Sequence, residues 1–413
     1  MKLMVYSHDA FGLGNIRRMV AICEYLLKAL PDLSILVVSG SPALHQLRLP
    51  TGLDYIKLPC LGRDEAGTLG VRFLNAEVEE TVQLRSHLIR TTAAHFQPDV
   101  VLVDKKPDGL KGELQATLDD LQRYRPQTRR VLLLRDILDH PEATVAQWQH
   151  HRYYEIAQTH YDQVWIVGSP DIFDAPQQYQ FPPALRAKTR FTGYVRRGCG
   201  LRSPRSVRQA LGLSPTTPLV LVTPGGGGDG GHLLTTYLEA LDLLPPAMAL
   251  SSLIIGGPEL PADQKPALLE RIAGHPQTQW LDYTDDLASY MATADAVVSM
   301  GGYNTVCEIL SLGKRAIVVP RTEPVQEQWM RAKRMAEMGL FHAIHPDQLT
   351  PAGLAQALLA QLAPHASQPP AALDMGALPR IAQLMRGLLW PEPRWLDWPA
   401  GAPLIPNVEV VVS

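Results

Sequence analysis

Cysteine is scarce in this sequence. The four that occur, Cys23, Cys60, Cys199 and Cys307, lie far apart and form no CxxC pair. That spacing argues against a zinc ribbon or a disulfide framework and agrees with a reducing compartment, where an isolated cysteine is expected to act as a small buried hydrophobe. Long hydrophobic runs are missing too, since none approaches the roughly 18 residues that cross a bilayer. The apolar run behind Lys2 is too short for the core of a secretory signal. The expected location is therefore the cytoplasm, with peripheral contact at the inner face of a membrane left open. Nor does one sign of charge dominate. Lysine and arginine total 38 against 41 aspartate and glutamate, a formal net charge of −3, so the overall balance calls for no nucleic-acid partner. No DxD loop and no cluster of metal-ligand residues stands out, and no metal is expected.

What is present reads as globular. A chain of 413 residues with 46% apolar and 19% charged residues exceeds one ordinary core and fits two domains. Near-continuous Val/Leu/Ile runs recur at Leu3–Tyr6, Ser34–Val38, Val100–Val103, Val131–Leu134 and Val164–Val167. They resume at Leu219–Val222, Leu253–Ile255, Ala296–Ser299 and Ala316–Val319. Such runs suit parallel strands covered by helices on both faces, and their alternation with helical patterns predicts an α/β, doubly wound architecture. In the first helix, Ile16, Met19, Val20, Cys23, Leu26, Leu27 and Leu30 form one apolar face, and Pro31 ends it.

Two such sets of strands imply two Rossmann-like domains, residues 1–195 and 196–374, with residues 375–413 forming a further helix and tail. The boundary is expected within Thr192–Ser206, rich in Gly, Pro and Arg, which is also the candidate hinge. A final amphipathic helix is expected at about Leu378 to Trp390. Residues Gly62–Ala76 read as a flexible loop, and the tail from Pro391, with Trp395 and Trp398, has no assignment.

Three glycine loops carry the chemistry. The first, Gly12-Leu13-Gly14-Asn15-Ile16-Arg17, follows the first apolar run but lacks the small last residue of a dinucleotide fingerprint. The second predicted strand ends at Ser39-Gly40, without the acid such a site wants. The second loop, Pro224 to Gly231, joins a strand to a helix starting near His232. Glycines let a backbone approach a ligand closely, and successive N–H groups with a helix N-terminus bind anions. No Lys-Ser/Thr follows, so it is not a Walker A loop. In the third, Gly301-Gly302 precedes a helix starting at about Asn304 or Thr305, both good caps. Glu308, one turn on, could accept two hydrogen bonds from a ribose diol, although a first-turn Glu complementing the helix dipole would look the same. Glu327 and Gln328, at the entry to a later helix, could grip sugar hydroxyls or merely face solvent.

These pieces, in this order and spacing, resemble the MurG-like group of GT-B glycosyltransferases. The resemblance implies two Rossmann-like domains facing across a cleft, with the C-terminal helix packing back on the first domain. The first domain would bind the acceptor, whether a glycan, a lipid-linked or a small molecule, and the second a nucleotide sugar, UDP-linked, with no tightly bound cofactor. It maps the diphosphate loop onto Gly225, Gly226, Gly227 and Gly228, and the nucleobase loop onto Leu281–Tyr283 and Asp285-Asp286-Leu287, with Tyr283 and Leu287 as contacts. It maps the glycine pair, hydroxyl residue and ribose carboxylate onto Gly301, Gly302, Thr305 and Glu308, and the sugar-binding pair onto Glu327-Gln328. Gly12 and Gly14 match the opening loop, where Asn15 stands in the position of the family's His. Segments of the form "SHD..GLG..RR" and "D..P.G...EL" also look like a less-described branch of predicted transferases. The second of these here runs from Asp104 through Pro107 and Gly109 to Glu113-Leu114.

The implied function is inverting, metal-independent sugar transfer in cell-envelope or polysaccharide biosynthesis. Such a reaction needs a base at the acceptor and positive potential at the departing diphosphate. Arg321, at a strand end, suits the second role. Because ligands bind at the carboxyl ends of such sheets, His8, Asp9, Asp104 and Asp136 are the candidates for the base, with His8, Asp9 and Asp136 put forward. A sugar-nucleotide 2-epimerase or hydrolase of the same fold remains an alternative. So does a non-catalytic nucleotide-sugar-binding protein, which Asn15 motivates.

Overall fold

The computed structural model describes residues 1–7, 14–42, 44, 49–63, 68–245, 248–363 and 373–390. His8, Asp9 and Gly12, and the tail with Trp395 and Trp398, lie outside the described residues.

The first sheet has seven parallel strands in the order β3-β2-β1-β6-β7-β8-β9. They are β1 (Lys2–Ser7), β2 (Ser34–Ser39), β3 (Leu53–Lys57), β6 (Val100–Asp104), β7 (Arg129–Arg135), β8 (Gln163–Val167) and β9 (Thr189–Phe191). Between β3 and β6, β4 (Leu61–Arg63) and β5 (Leu69–Val71) form a separate antiparallel pair, Leu61 opposite Val71. The expectation of a flexible loop at Gly62–Ala76 is corrected there. A three-residue ladder is too short to leave a period-2 signal in the sequence.

The second sheet has six parallel strands in the order β12-β11-β10-β13-β14-β15. They are β10 (Leu219–Thr223), β11 (Ser251–Ile255), β12 (Thr278–Leu281), β13 (Ala296–Ser299), β14 (Arg315–Val318) and β15 (His342–Ala343). Every residue of β6, β10, β11 and β13 is buried, as expected of strands with helices on both faces. The α/β architecture with two Rossmann-like sheets is therefore the fold observed.

In each sheet one strand pairs with neighbours reached by opposite crossovers. β1 lies between β2 and β6, and β10 lies between β11 and β13. At such a switch point the loops diverge and leave a crevice at the carboxyl ends of the strands. The second and third glycine loops follow β10 and β13, and Gly14 opens the helix after β1, so the topology brings these residues to the two crevices.

The first helix, Gly14–Ala29, buries Ile16, Met19, Val20, Ile22, Cys23 and Leu26. The last, Ala377–Leu389, packs against it, and Arg386 Nη2 donates to the Ala29 carbonyl at 2.7 Å. The chain thus returns to the first sheet after completing the second. Between the sheets Tyr194 and Val195 are fully buried, and the Tyr194 N–H donates to the Asp374 carbonyl at 2.7 Å. Cys23, Cys60 and Cys307 are buried hydrophobes as expected, whereas Cys199 is exposed. No helix among the described residues is long and apolar enough to cross a membrane.

Candidate active site

The carboxyl ends of both sheets border one cleft of about 480 Å³. Gly14 and Arg135 line it from the first sheet, and Thr223, Ile255 and Met300 from the second. Its wall on the second side is the glycine loop after β10. Gly225 and Gly227 have φ of 82° and 98°, the left-handed region that favours glycine. A Cβ on Gly227 would lie 2.4 Å from the Gly256 carbonyl oxygen, so any side chain there would push this loop off the turn after β11.

The same loop approaches the helix Tyr303–Ser311, since a Cβ on Gly225 would lie 3.6 Å from Thr305 Oγ1. That helix begins one residue earlier than the sequence suggests. Its N-cap is Gly302 and no side chain caps it, leaving the first N–H groups open to an anion. Asn304 lines the cleft but does not act as the cap. Its Nδ2 donates to the Gly14 carbonyl at 2.7 Å, and its Oδ1 accepts from Arg197 Nη2 at 2.7 Å. It bridges the domains instead.

One turn along, Glu308 lines the cleft partly buried, and its carboxylate accepts no hydrogen bond from the described residues. Burial pushes its pKa up, while Arg197 and Arg17 pull the other way. At the same end stand Leu287 and Tyr283, and the Tyr283 hydroxyl, on a residue 45% exposed, accepts from Arg17 Nη2 at 3.0 Å.

At the other end Glu327 and Gln328 open the helix Glu327–Glu337. Both line the cleft, but Glu327 is not a free sugar ligand. Its Oε1 accepts from Arg135 Nη1 at 2.9 Å and its Oε2 from Arg331 Nη2 at 3.3 Å. Burial alone would raise its pKa, yet Arg135, Arg331, Lys105 and Arg321 hold it down to about 2. Gln328 Oε1 accepts from the Arg321 N–H at 3.3 Å, and the Arg321 guanidinium stands 3.7 Å from Asp229 across the loop. Lys105, left-handed at the end of β6 with φ of 70°, is pushed down to about 8 by burial and by Arg135.

Of the residues put forward, the cleft brings together Gly14, Gly225 to Gly228, Tyr283, Leu287, Gly302, Asn304, Thr305, Glu308, Arg321, Glu327 and Gln328. Gly301 lies behind it, its carbonyl accepting from Arg331 Nη1 at 3.2 Å. Asp136 does not face the cleft and is corrected as a candidate base. It is fully buried and both its oxygens bind Arg331, at 2.6 and 2.9 Å. A carboxylate buried away from the cleft with both oxygens on a guanidinium does not meet an acceptor there. Asp104, also buried, pairs with Arg18 at 2.8 Å. Sequence reasoning missed Arg17, Arg135, Arg197 and Arg331. For Arg331, four residues after Glu327 on a helix, the i,i+4 charge spacing was the available signal. Among the described residues no group of three or more His, Cys, Asp or Glu is placed to share a metal ion.

Residues 232–382 match the family model of the glycosyltransferase family 28 C-terminal domain. The MurG crystal structure from Acinetobacter baumannii superposes with a TM-score of 0.60 over 93% of this chain and 99% of that one, at 15% identity, a likeness of fold. The chain therefore shares the two-domain fold of MurG, and its second domain is similar to the glycosyltransferase family 28 C-terminal domain. Among curated relatives, an uncharacterised glycosyltransferase of Methanopyrus kandleri is 27% identical over 47% of this chain and 52% of its own length. The UDP-N-acetylglucosamine–N-acetylmuramyl-(pentapeptide) pyrophosphoryl-undecaprenol N-acetylglucosamine transferase of Histophilus somni is 31% identical over 32% of this chain and 37% of its own. The chain thus matches about half or less of the length of these curated relatives.

Proposed function

We propose that this chain moves a sugar from a UDP-linked donor to an acceptor hydroxyl, with inversion and without a metal, acting in the cytoplasm or at the inner membrane face. The supporting observation is the convergence of the Gly225 loop and the uncapped helix at Thr305 on one spot, with the Glu308 carboxylate, which accepts no hydrogen bond from the described residues, one turn away. The backbone N–H groups suit a diphosphate, and Glu308 suits the ribose diol beside it. Tyr283 and Leu287 offer the nucleobase an aromatic and an apolar face. As the sugar–phosphate bond breaks, charge grows on the departing diphosphate, and the N-terminus of the Tyr303–Ser311 helix with Arg321 faces that charge. The relatives' UDP-sugar chemistry agrees with this reading.

The acceptor would enter on the first-domain side. With Asp136 and Asp104 held in ion pairs, His8 and Asp9, which follow β1 directly in sequence, are the proposed proton acceptors. Loss of the one that acts should lower turnover by roughly 10²- to 10⁴-fold. Assays of His8→Ala and Asp9→Asn separate the two, and full activity in both removes both.

Thermal unfolding with UDP, UDP-sugars, GDP-sugars and NAD tests the donor site. UDP or its sugar at about 100 times its dissociation constant should stabilise the chain by roughly 2.7 kcal/mol, and Glu308→Ala should abolish that gain. A response to NAD alone would overturn the reading. Conversion of a UDP-sugar with no acceptor present would point instead to an epimerase or hydrolase, and binding without any turnover to a non-catalytic role.

A further inference from the structure

Asp136 stands where the two domains and their connection meet. It follows β7 of the first sheet directly. Its Oδ2 accepts from the Tyr194 hydroxyl, in the connection between the sheets, at 2.8 Å and from Arg331 Nε at 2.6 Å. Its Oδ1 accepts from Arg331 Nη2 at 2.9 Å. Arg331 belongs to the helix that Glu327 opens, and it also donates to Glu327 and to the Gly301 carbonyl, just ahead of the Tyr303–Ser311 helix. Tyr303 completes the junction. Its ring stacks on Tyr194 at 5.8 Å between centroids, its hydroxyl donates to the Val167 carbonyl at 3.1 Å, and Arg18 and Arg331 lie 5.5 and 5.4 Å from the ring centre.

Neither side chain of the Asp136–Arg331 pair has any exposed surface. Burying two charges is costly unless each keeps the other in good geometry, and separating them leaves an uncompensated charge. Here the partners come from different domains, so the cost falls on any motion that parts them. One residue earlier, Arg135 makes a second ion pair across the domains, to Glu327 in the cleft wall. Glu327 therefore has each oxygen on a different arginine, one from each domain.

We propose that Arg135 and the Asp136–Arg331 pair are positioning residues for Glu327, so that the sugar end of the donor site is built only while the two domains are closed. This rests on the donor-site reading above. The groups facing a UDP moiety, the Gly225 loop, Tyr283 and Glu308, belong to the second domain and none of them is ion-paired to the first among the described residues, although the Tyr283 hydroxyl accepts from Arg17. The carboxylate facing the sugar is oriented by an arginine of the first. Opening the cleft would withdraw Arg135 and Asp136 together, leaving Glu327 with Arg331 alone and free to turn away. Recognition of the sugar and closure of the domains are then one event.

The test uses Arg135→Met, Arg135→Lys and Asp136→Asn in the full chain. Dissociation constants are measured by calorimetry for UDP and for whichever of UDP-glucose, UDP-galactose and UDP-N-acetylglucosamine the native chain binds most tightly. Arg135→Met should hold UDP within about twofold of native while weakening the UDP-sugar about tenfold, and Arg135→Lys should recover part of that loss. Equal weakening of both ligands, or no weakening of either, would overturn the proposal. Independently of any ligand, small-angle scattering should show a larger radius of gyration for Asp136→Asn than for the native chain, and an unchanged radius would also overturn it. If the native chain binds neither UDP nor any of these sugars, the donor-site reading fails on its own, and the scattering comparison still decides whether the buried pair holds the domains closed.

Discussion

The two ends of the cleft carry the same functional group in opposite states. At the ribose end, Glu308 is partly buried, has no hydrogen-bond partner among the described residues, and has its pKa raised by burial. At the sugar end, Glu327 is also buried, but two arginines grip it and hold it down to about 2. Burial acts in the same direction on both, so the arginines make the difference. An unpartnered carboxylate in a cleft keeps its lone pairs for a ligand. A doubly paired one has a fixed direction and contributes shape and potential more than free acceptors.

That contrast can be broken from either side. The largest effect is expected from Arg331→Met, which strips Asp136 of the guanidinium that binds both its oxygens and Glu327 of one of the two arginines it accepts from. Removing one partner of a buried pair typically costs about 3–5 kcal/mol, read as a shift in the urea midpoint. A cost below about 1 kcal/mol, the range of exposed pairs, would mean that the junction is not held by charge.

A smaller and sharper test is pH. Glu327 has a depressed pKa, so its pairing stabilises the fold above the ordinary carboxylate value of 4.5 and is lost as pH falls towards about 2. Glu308 has the opposite sign. Its folded pKa is raised, so its contribution improves as pH falls through that value and the carboxyl takes up a proton. Between pH 4.5 and 2, stability should fall less steeply in Glu327→Gln than in the native chain, whereas Glu308→Gln should lose the gain the native chain shows as pH falls to 4.5 from above. Identical pH slopes in all three proteins would erase the distinction between the two ends.

Much of the fold was legible because parallel strands covered on both faces must be apolar along their whole length. β1, β6, β7 and β10 announce themselves in that way. β3, β12 and β15 do not, since they lie at sheet edges or next to them and carry residues such as Asp54, Gln279 and His342. The glycine loops were legible for a related reason. Only glycine readily takes the left-handed turns at Gly225 and Gly227 beside a strand end, so the backbone requirement is written into the residue type.

The charged groups were not legible in the same way. An Asp at a strand end looks identical in the sequence whether it meets an acceptor or a guanidinium, and Asp136 meets one from 195 residues away. Asn304 likewise reads as a helix cap and proves to be a bridge to Gly14. Local composition and periodicity determined the strands, the glycine turns and the helices behind them, because these are set by neighbours in the chain and by burial. The state of each carboxylate was decided only by the tertiary structure, because a charge answers to whatever lies within a few ångströms, and here that is the other domain.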